Sequence, residues 1–411
     1  MTVSKHSWPH AGLFLGLALT GLIGVFAPRS LAILPAFWGL IGVGLLAFDR
    51  SLSVAHLLSK RPVRWMIALI VIIPSLAALS SLWSIAPEIS LKRAQKIMLV
   101  LAPATLLIIY LCVAPLSTIK RYAWMLPVGL ITGIAINTSE LYTGGALYRY
   151  LRGMDGALTS YEMAAFNRGA VTQIFLLIPT IFMVRALRMR KTLRRALTVI
   201  LIVLAVMMLS KTDSQSSQIA FVLAAIIALI FPYKWRAGYA LTLMLLIVTM
   251  LLSPFFVQML FHDFGDQLSN IAWLKNGYAM QRLEIWDMVA RYALQNPLYG
   301  HGIEATKAVP AFDTQTLHFR YSSVLHPHNF ALQIWIEFGA FGIAALSCGI
   351  AALIRHISFQ TITVQRMALG SLFAVLAVAS TGYGIWQSWW LGLLVLLSGF
   401  CIIAARLLSE R

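Results

Sequence analysis

Three uninterrupted apolar runs, at 65–83, 196–209 and 238–257, set the tightest limit on how this chain folds. Each is close to the roughly 20 residues that a helix needs to cross a bilayer. In hydrocarbon no water satisfies the peptide groups, so a run of this kind must close its hydrogen bonds within itself as a helix. The short alternating segments of a β-barrel are missing from the pattern. Composition agrees: 60% of the 411 residues are hydrophobic and 11% are charged, against about 25% charged in a soluble domain. The sequence therefore predicts an all-α polytopic integral membrane protein, organised as one membrane domain over 1–411.

Twelve spans are expected, at 11–27, 30–48, 65–83, 97–114, 122–138, 169–184, 196–210, 217–232, 238–258, 329–352, 366–383 and 388–406. Pro179 and Pro254 fall inside the sixth and ninth, where they predict kinks rather than breaks. The first run follows Lys5 as a signal peptide would. A second run comes almost at once with no small-residue cleavage site between them, so an uncleaved first span is expected. Cys112, Cys348 and Cys401 all lie in apolar runs at spacings that fit neither zinc nor a disulfide framework, and read as small core residues.

A net charge of +18 would point to nucleic acid in a soluble protein. Here its distribution gives another account. With the N-terminus inside, the cytoplasmic segments hold 19 of the 32 basic residues against two acids, Asp49 and Glu410. The densest cluster, Arg185, Arg188, Arg190, Lys191, Arg194 and Arg195, follows the sixth span. That asymmetry is the positive-inside signature and predicts cytoplasmic termini. No nucleic-acid partner is implied.

The opposite face carries three larger segments, near 84–96, 139–168 and 259–328. The last exceeds what a turn between spans needs, and connections of that length are usually functional. Within it, 281–294 reads as an amphipathic helix. Leu283, Trp286, Ala290 and Ala293 share one face, while Glu284, Asp287 and Arg291 share another. Asp287 and Arg291 are four apart and can pair. Arg282 has no acid in easy helical reach. Asn296-Pro297 ends the helix, and Gly300-His301-Gly302 reads as a flexible turn. Then come His326-Pro327-His328-Asn329 and the tenth span, on which Asn329, Gln333 and Glu337 recur every four residues. A polar stripe in hydrocarbon normally faces a cavity or the bundle interior. An imidazole at its mouth, with a reference pKa near 6.5, can take a proton at neutral pH.

The ordered set RLEIW from Arg282, NPLYGHG from Asn296, HPHN from His326, Gln333, and EFG from Glu337 resembles the signature of the O-antigen ligase and polymerase superfamily. The resemblance covers about 60 residues in motif, and most of the chain in span count and loop position. It implies glycan transfer at the periplasmic face of a bacterial inner membrane, from an undecaprenyl diphosphate-linked donor. A ligase uses the lipid A–core oligosaccharide as acceptor, and a polymerase uses another carrier-linked repeat. The ligase is the expected reading. A transporter or lipid flippase is the competing class, and it predicts functional ionisable residues within spans, where Glu337 is almost alone.

By the same resemblance His328 is the candidate base, and Arg282 and Arg168 are the candidate catalytic cations. Guanidiniums can hold the departing diphosphate without a metal, and the acceptor hydroxyl needs a base to take its proton. No cofactor or metal is expected, and His262, Asp263 and Asp266 are the nearest approach to a ligand cluster. Lys92, Arg93, His326, Asn329 and Arg291 are the further candidates for holding substrate, with membrane lipid headgroups the alternative for Lys92 and Arg93. Simpler readings stand beside these: an interfacial histidine for His328, pairing with Glu284 or Glu162 for the two arginines, and a structural hydrogen-bonding role for Glu337. Relatives carry an arginine in the Ser/Thr-rich turn matching 210–218, and this chain has none. The tryptophans near span ends read as interfacial anchors.

Overall fold

The computed structural model describes residues 7–48, 54–271, 274, 279–309 and 324–410. In chain order the helices are α1 (Ser7–Ala18), α2 (Thr20–Phe26), α3 (Leu34–Phe48), α4 (Val54–Ser59), α5 (Arg61–Leu79), α6 (Pro87–Val113), α7 (Leu116–Tyr122), α8 (Met125–Thr143) and α9 (Ala146–Arg152). They continue with α10 (Ser160–Met163), α11 (Phe166–Ala186), α12 (Lys191–Leu209), α13 (Gln215–Ile230), α14 (Arg236–Ser269), α15 (Ala279–Ala293), α16 (Phe330–Ser358), α17 (Ile362–Thr381) and α18 (Ser388–Leu408). Nine helices among the described residues are long and apolar enough to cross a membrane. The α1–α2 pair, bent by 46°, brings the number to ten when counted as one broken span, and α3 and α13 are shorter apolar helices. These account one by one for the twelve expected runs. The chain is a multi-pass α-helical membrane protein.

Helix α11 is the hub. It is buried along nearly its whole length and packs on α2, α8, α12, α13, α17 and α18. Gln173 ties α11 to two of these, α2 and α8: its amide nitrogen donates to the carbonyls of Gly21 (3.1 Å) and Gly133 (2.7 Å), while its oxygen accepts from Asn137 (3.0 Å). Both ends of the Gln173 amide are thus paired, as a polar side chain deep in a bundle requires. Elsewhere small residues let backbones touch. A Cβ on Gly392 would lie 2.0 Å from the Leu31 carbonyl oxygen, and one on Gly39 would lie 2.4 Å from the Leu107 nitrogen.

Three features differ from expectation. The ninth span does not stop at 258. Helix α14 runs unbroken through Pro254 to Ser269, 34 residues, or about 51 Å at 1.5 Å per residue. Its last turns therefore stand outside the hydrocarbon and pack on α15, and 259–269 is helix rather than loop. Second, α16 is broken at Gly339 (φ 58°, ψ −153°). The NPLYGHG turn docks into this break. Ala340 N donates to Pro297 O (2.8 Å) and Phe341 N to Leu298 O (3.1 Å), while His301 N and Gly302 N donate to the carbonyls of Ile336 (2.8 Å) and Glu337 (2.9 Å). Non-helical backbone at membrane depth is tolerated where protein satisfies it in this way. Gly300 and Gly302 are thus fixed parts of a joint, not a flexible turn. Third, Cys348 is exposed on α16 instead of lying in the core, because the half of α16 beyond the break packs along one side only; Cys112 is buried and Cys401 partly so.

Candidate active site

The HPHN segment is held from three sides. Asn329 caps α16, its side-chain oxygen accepting from Ala331 N (3.0 Å) and Leu332 N (3.2 Å). The Trp286 indole of α15 donates to Pro327 O (2.6 Å). His328 donates through Nδ1 to the Gly382 carbonyl in the α17–α18 turn. A carbonyl only accepts, so the imidazole proton sits on Nδ1 and the Nε2 lone pair is left as the acceptor. His328 holds this pose at φ 57°, a left-handed conformation that costs a non-glycine residue about 1–3 kcal/mol and concentrates at functional sites. Burial pushes its pKa down to about 4, opposed by the Gly382 bond and reinforced by the nearby Arg282 charge. The ring is neutral at pH 7.

His326 stands 4.2 Å from His328, ring centre to ring centre. Its tautomer is also fixed. Trp389 Nε1, a pure donor, occupies the Gln387 oxygen (2.6 Å), so Gln387 donates its amide N–H to His326 Nε2 (2.9 Å). The His326 proton then lies on Nδ1, which is buried without a partner among the described residues. Burial, then His328, Lys307 and Arg282, hold its pKa down at about 3. The pair thus carries one unshared N–H, on His326, and one unshared lone pair, on His328. Gly384 makes room for it, since a Cβ there would meet the His326 ring at 2.8 Å.

Arg168, two residues into α11, lies over the Trp389 ring at 5.8 Å. Trp389 in turn packs edge-on against Tyr383 at 4.8 Å. Tyr383 feels both Arg168 and Arg282, whose charges oppose the burial that raises its hydroxyl to about 12. Arg282 is half-buried on α15, and burial lowers its pKa. Among the described residues neither arginine forms an ion pair. Glu162 instead accepts from Thr159 N (2.7 Å) and Thr159 Oγ1 (2.8 Å), and Glu284 is buried on α15. Two half-buried guanidiniums without a carboxylate therefore meet a neutral imidazole around the Gly382–Tyr383 turn. The Arg185–Arg195 cluster begins at the far end of α11, about 25 Å from Arg168 by helix rise.

The other candidates part company. Lys92 is at the surface, 3.7 Å from Glu88 on the same helix, whereas Arg93 points inward. Arg93 pairs with Glu304 through Nε (2.7 Å) and donates to the Trp386 carbonyl (2.9 Å). Lys307 closes on the second Glu304 oxygen. Arg291 meets Asp287 at 2.5 Å, and the His262 ring nitrogen lies 3.3 Å from the other Asp287 oxygen. Asp287 and Glu284 are buried because the α14 extension covers that face of α15. Among the described residues no group of three His, Cys, Asp or Glu could hold a metal. Glu337 is fully buried and saturated, accepting from Gln333 (3.0 Å), Glu304 N (3.0 Å) and Trp386 (2.5 Å).

Sequence reasoning passed over the α17–α18 turn, where Gly382, Tyr383, Gln387 and Trp389 organise the candidates. Trp386, Trp389 and Trp390 are buried donors or packing groups and not interfacial anchors. The available signal was Gly382 and Gly384 spaced by one residue beside four aromatics, since paired glycines mark close approach. The Ser/Thr-rich turn is also structural. Thr212 donates to Asn167 (2.9 Å) beside Arg168, and Thr381 donates to Ser216 (3.0 Å) beside Gly382.

Comparison with known proteins points the same way. A family model described as O-Antigen ligase matches residues 200–347, a stretch that includes Arg282, Arg291, His326, His328 and Asn329 but not Lys92, Arg93, Arg168 or Tyr383. A Rickettsia conorii protein provisionally named a polysaccharide ligase is 25% identical over 269 residues, 64% of this chain and 62% of its own length. Proteins of Rickettsia typhi and Rickettsia prowazekii with the same provisional name are each 29% identical over 209 residues, half of either chain. The chain thus spans between half and three fifths of the length of these relatives. The family match and the ordered motif are both likenesses to the O-antigen ligase superfamily, and the Rickettsia relatives are similar by name, as polysaccharide ligases.

Proposed function

We propose, from that superfamily likeness and from the residues gathered at the Gly382–Tyr383 turn, that the protein is an O-antigen ligase. It transfers a glycan from an undecaprenyl diphosphate carrier to the lipid A–core oligosaccharide. It does so at the periplasmic face of the bacterial inner membrane, with both termini in the cytoplasm.

The observation that carries this reading is the fixed tautomer of His328. With Nδ1–H given to Gly382, Nε2 is the group that accepts the proton of the attacking hydroxyl. The acceptor oxygen bonds to the anomeric carbon as the bond from that carbon to the phosphate oxygen breaks. The electron pair leaves with the carrier diphosphate, and attack from the opposite side inverts the sugar. Arg168 and Arg282 supply positive charge where that negative charge grows, in a half-buried setting where it counts for more than in water. The network of Arg93, Lys307 and the buried Glu304 and Glu337 holds the loop against α16 and takes no part in the chemistry.

The test uses the purified protein in lipid with carrier-linked glycan and lipid A–core. A glycan-bearing core product is expected, and His328→Ala should lower its rate by about 10²–10⁴-fold, the range of a general base. Elongated glycan still on the carrier, with no product on the core, would instead identify a polymerase. Binding of both lipids without any transfer would favour a transporter.

A further inference from the structure

The α17–α18 turn does more than orient His328. Tyr383 sits at its centre, with its ring against Trp389 (4.8 Å) and Trp390 (6.3 Å). Arg168 lies over the same Trp389 ring at 5.8 Å, so phenol and guanidinium share one aromatic support. The residue before Tyr383 is the one whose carbonyl holds His328. Thr381, two residues before, is bonded to Ser216 (3.0 Å), and Gln387, four residues after, to His326 (2.9 Å). The position of Tyr383 is therefore determined from both sides. Among the described residues its hydroxyl makes no hydrogen bond.

A phenol next to two cations with no acceptor of its own is a donor awaiting an anion. We propose that the Tyr383 hydroxyl is a substrate-binding group, donating a hydrogen bond to the diphosphate that Arg168 and Arg282 hold. This rests on the glycan-transfer reading and names the part of the substrate that the turn recognises. Neighbouring positive charge orients such a donor toward a shared phosphate oxygen, and a hydrogen bond to a charged group is among the stronger ones. No proton leaves Tyr383 in the reaction. With its pKa up near 12, the hydroxyl stays protonated throughout the working range and acts only by donating. The hydrogen bond strengthens as the carbon–oxygen bond of the donor breaks and charge collects on the diphosphate.

The experiment uses the full-length protein in detergent and two soluble probes, farnesyl diphosphate and farnesol, which differ only in the diphosphate. Tyr383→Phe keeps the ring and its packing on Trp389 and Trp390. It should weaken farnesyl diphosphate binding by about 10-fold or more, leave farnesol binding unchanged and leave the melting temperature unchanged. Arg168→Gln provides the parallel loss from a cation. Equal affinity of wild type and Tyr383→Phe for farnesyl diphosphate would overturn the proposal, as would an equal loss for both probes. Failure of the wild type to distinguish the probes would count against the glycan-transfer reading itself, so the two failures are separable.

Discussion

His328 carries its proton on Nδ1 and meets solvent pH as a weakly basic ring, and both facts have measurable consequences. The unfolded chain protonates this histidine below about 6.5, whereas the folded protein resists until about 4. Between those values the unfolded state binds more protons, so stability falls as pH drops from about 6.5 toward 4 and is regained as pH rises. Transfer should follow the folded value. The acid limb of kcat is expected near pH 4–5, and a limb near 6.5 would show that the working base is some other group. His326, held near 3, adds to the same stability trend. Arg282 offers a second residue-scale test. Arg282→Lys keeps the charge and loses the fork, and a loss of about 100-fold in kcat is expected, the size of removing one donor to a developing anion. The sequence pointed to Arg282 because it lacks a local acidic partner, and to His328 because it stands in the HPHN motif at the mouth of the Asn329–Gln333–Glu337 stripe. It did not show Tyr383, whose charged neighbours Arg282 and Arg168 stand 101 and 215 positions away in the chain.

At the scale of elements, the unusual feature is that one helix break and one loop turn complete each other. Gly339 must take φ 58°, and a Cβ there would come 2.5 Å from the Leu298 carbonyl carbon. Gly339→Ala should therefore lower the thermal stability of the purified protein and release the 297–302 turn to proteolysis. An unchanged melting temperature would mean that the joint contributes little. Trp286→Phe tests the neighbouring contact. It removes the indole donor to Pro327 (2.6 Å) while keeping an aromatic ring, so kcat should fall several-fold, with about 0.5–1.5 kcal/mol lost in stability. Hydrophobic periodicity identified α15 and the spans because those depend on nearest neighbours in sequence. It could not show that NPLYGHG and EFG are two halves of one hydrogen-bonded joint, because pairing across 40 residues leaves no periodic trace. The α14 overrun was hidden for a related reason: Phe261, His262 and Asp263 look like a span end, and only α15 packed beside them keeps the helix going.

For the whole molecule, hydropathy was enough to establish a multi-pass helical protein. The basic cluster and the candidate site occupy opposite ends of α11, as the distribution of lysine and arginine implies. What unites the molecule is convergence: α11 brings Arg168, α15 brings Arg282, the entrance to α16 brings His328, and the α17–α18 turn receives all three. That convergence is tested most directly by an experimental density map of the full-length protein in lipid with undecaprenyl diphosphate bound. The account predicts phosphate density between the Arg168 and Arg282 guanidiniums, beside Tyr383 and within reach of the His328 Nε2 side. Phosphates bound at the Arg185–Arg195 end of α11, or a map in which Arg168 and His328 face separate cavities, would contradict it.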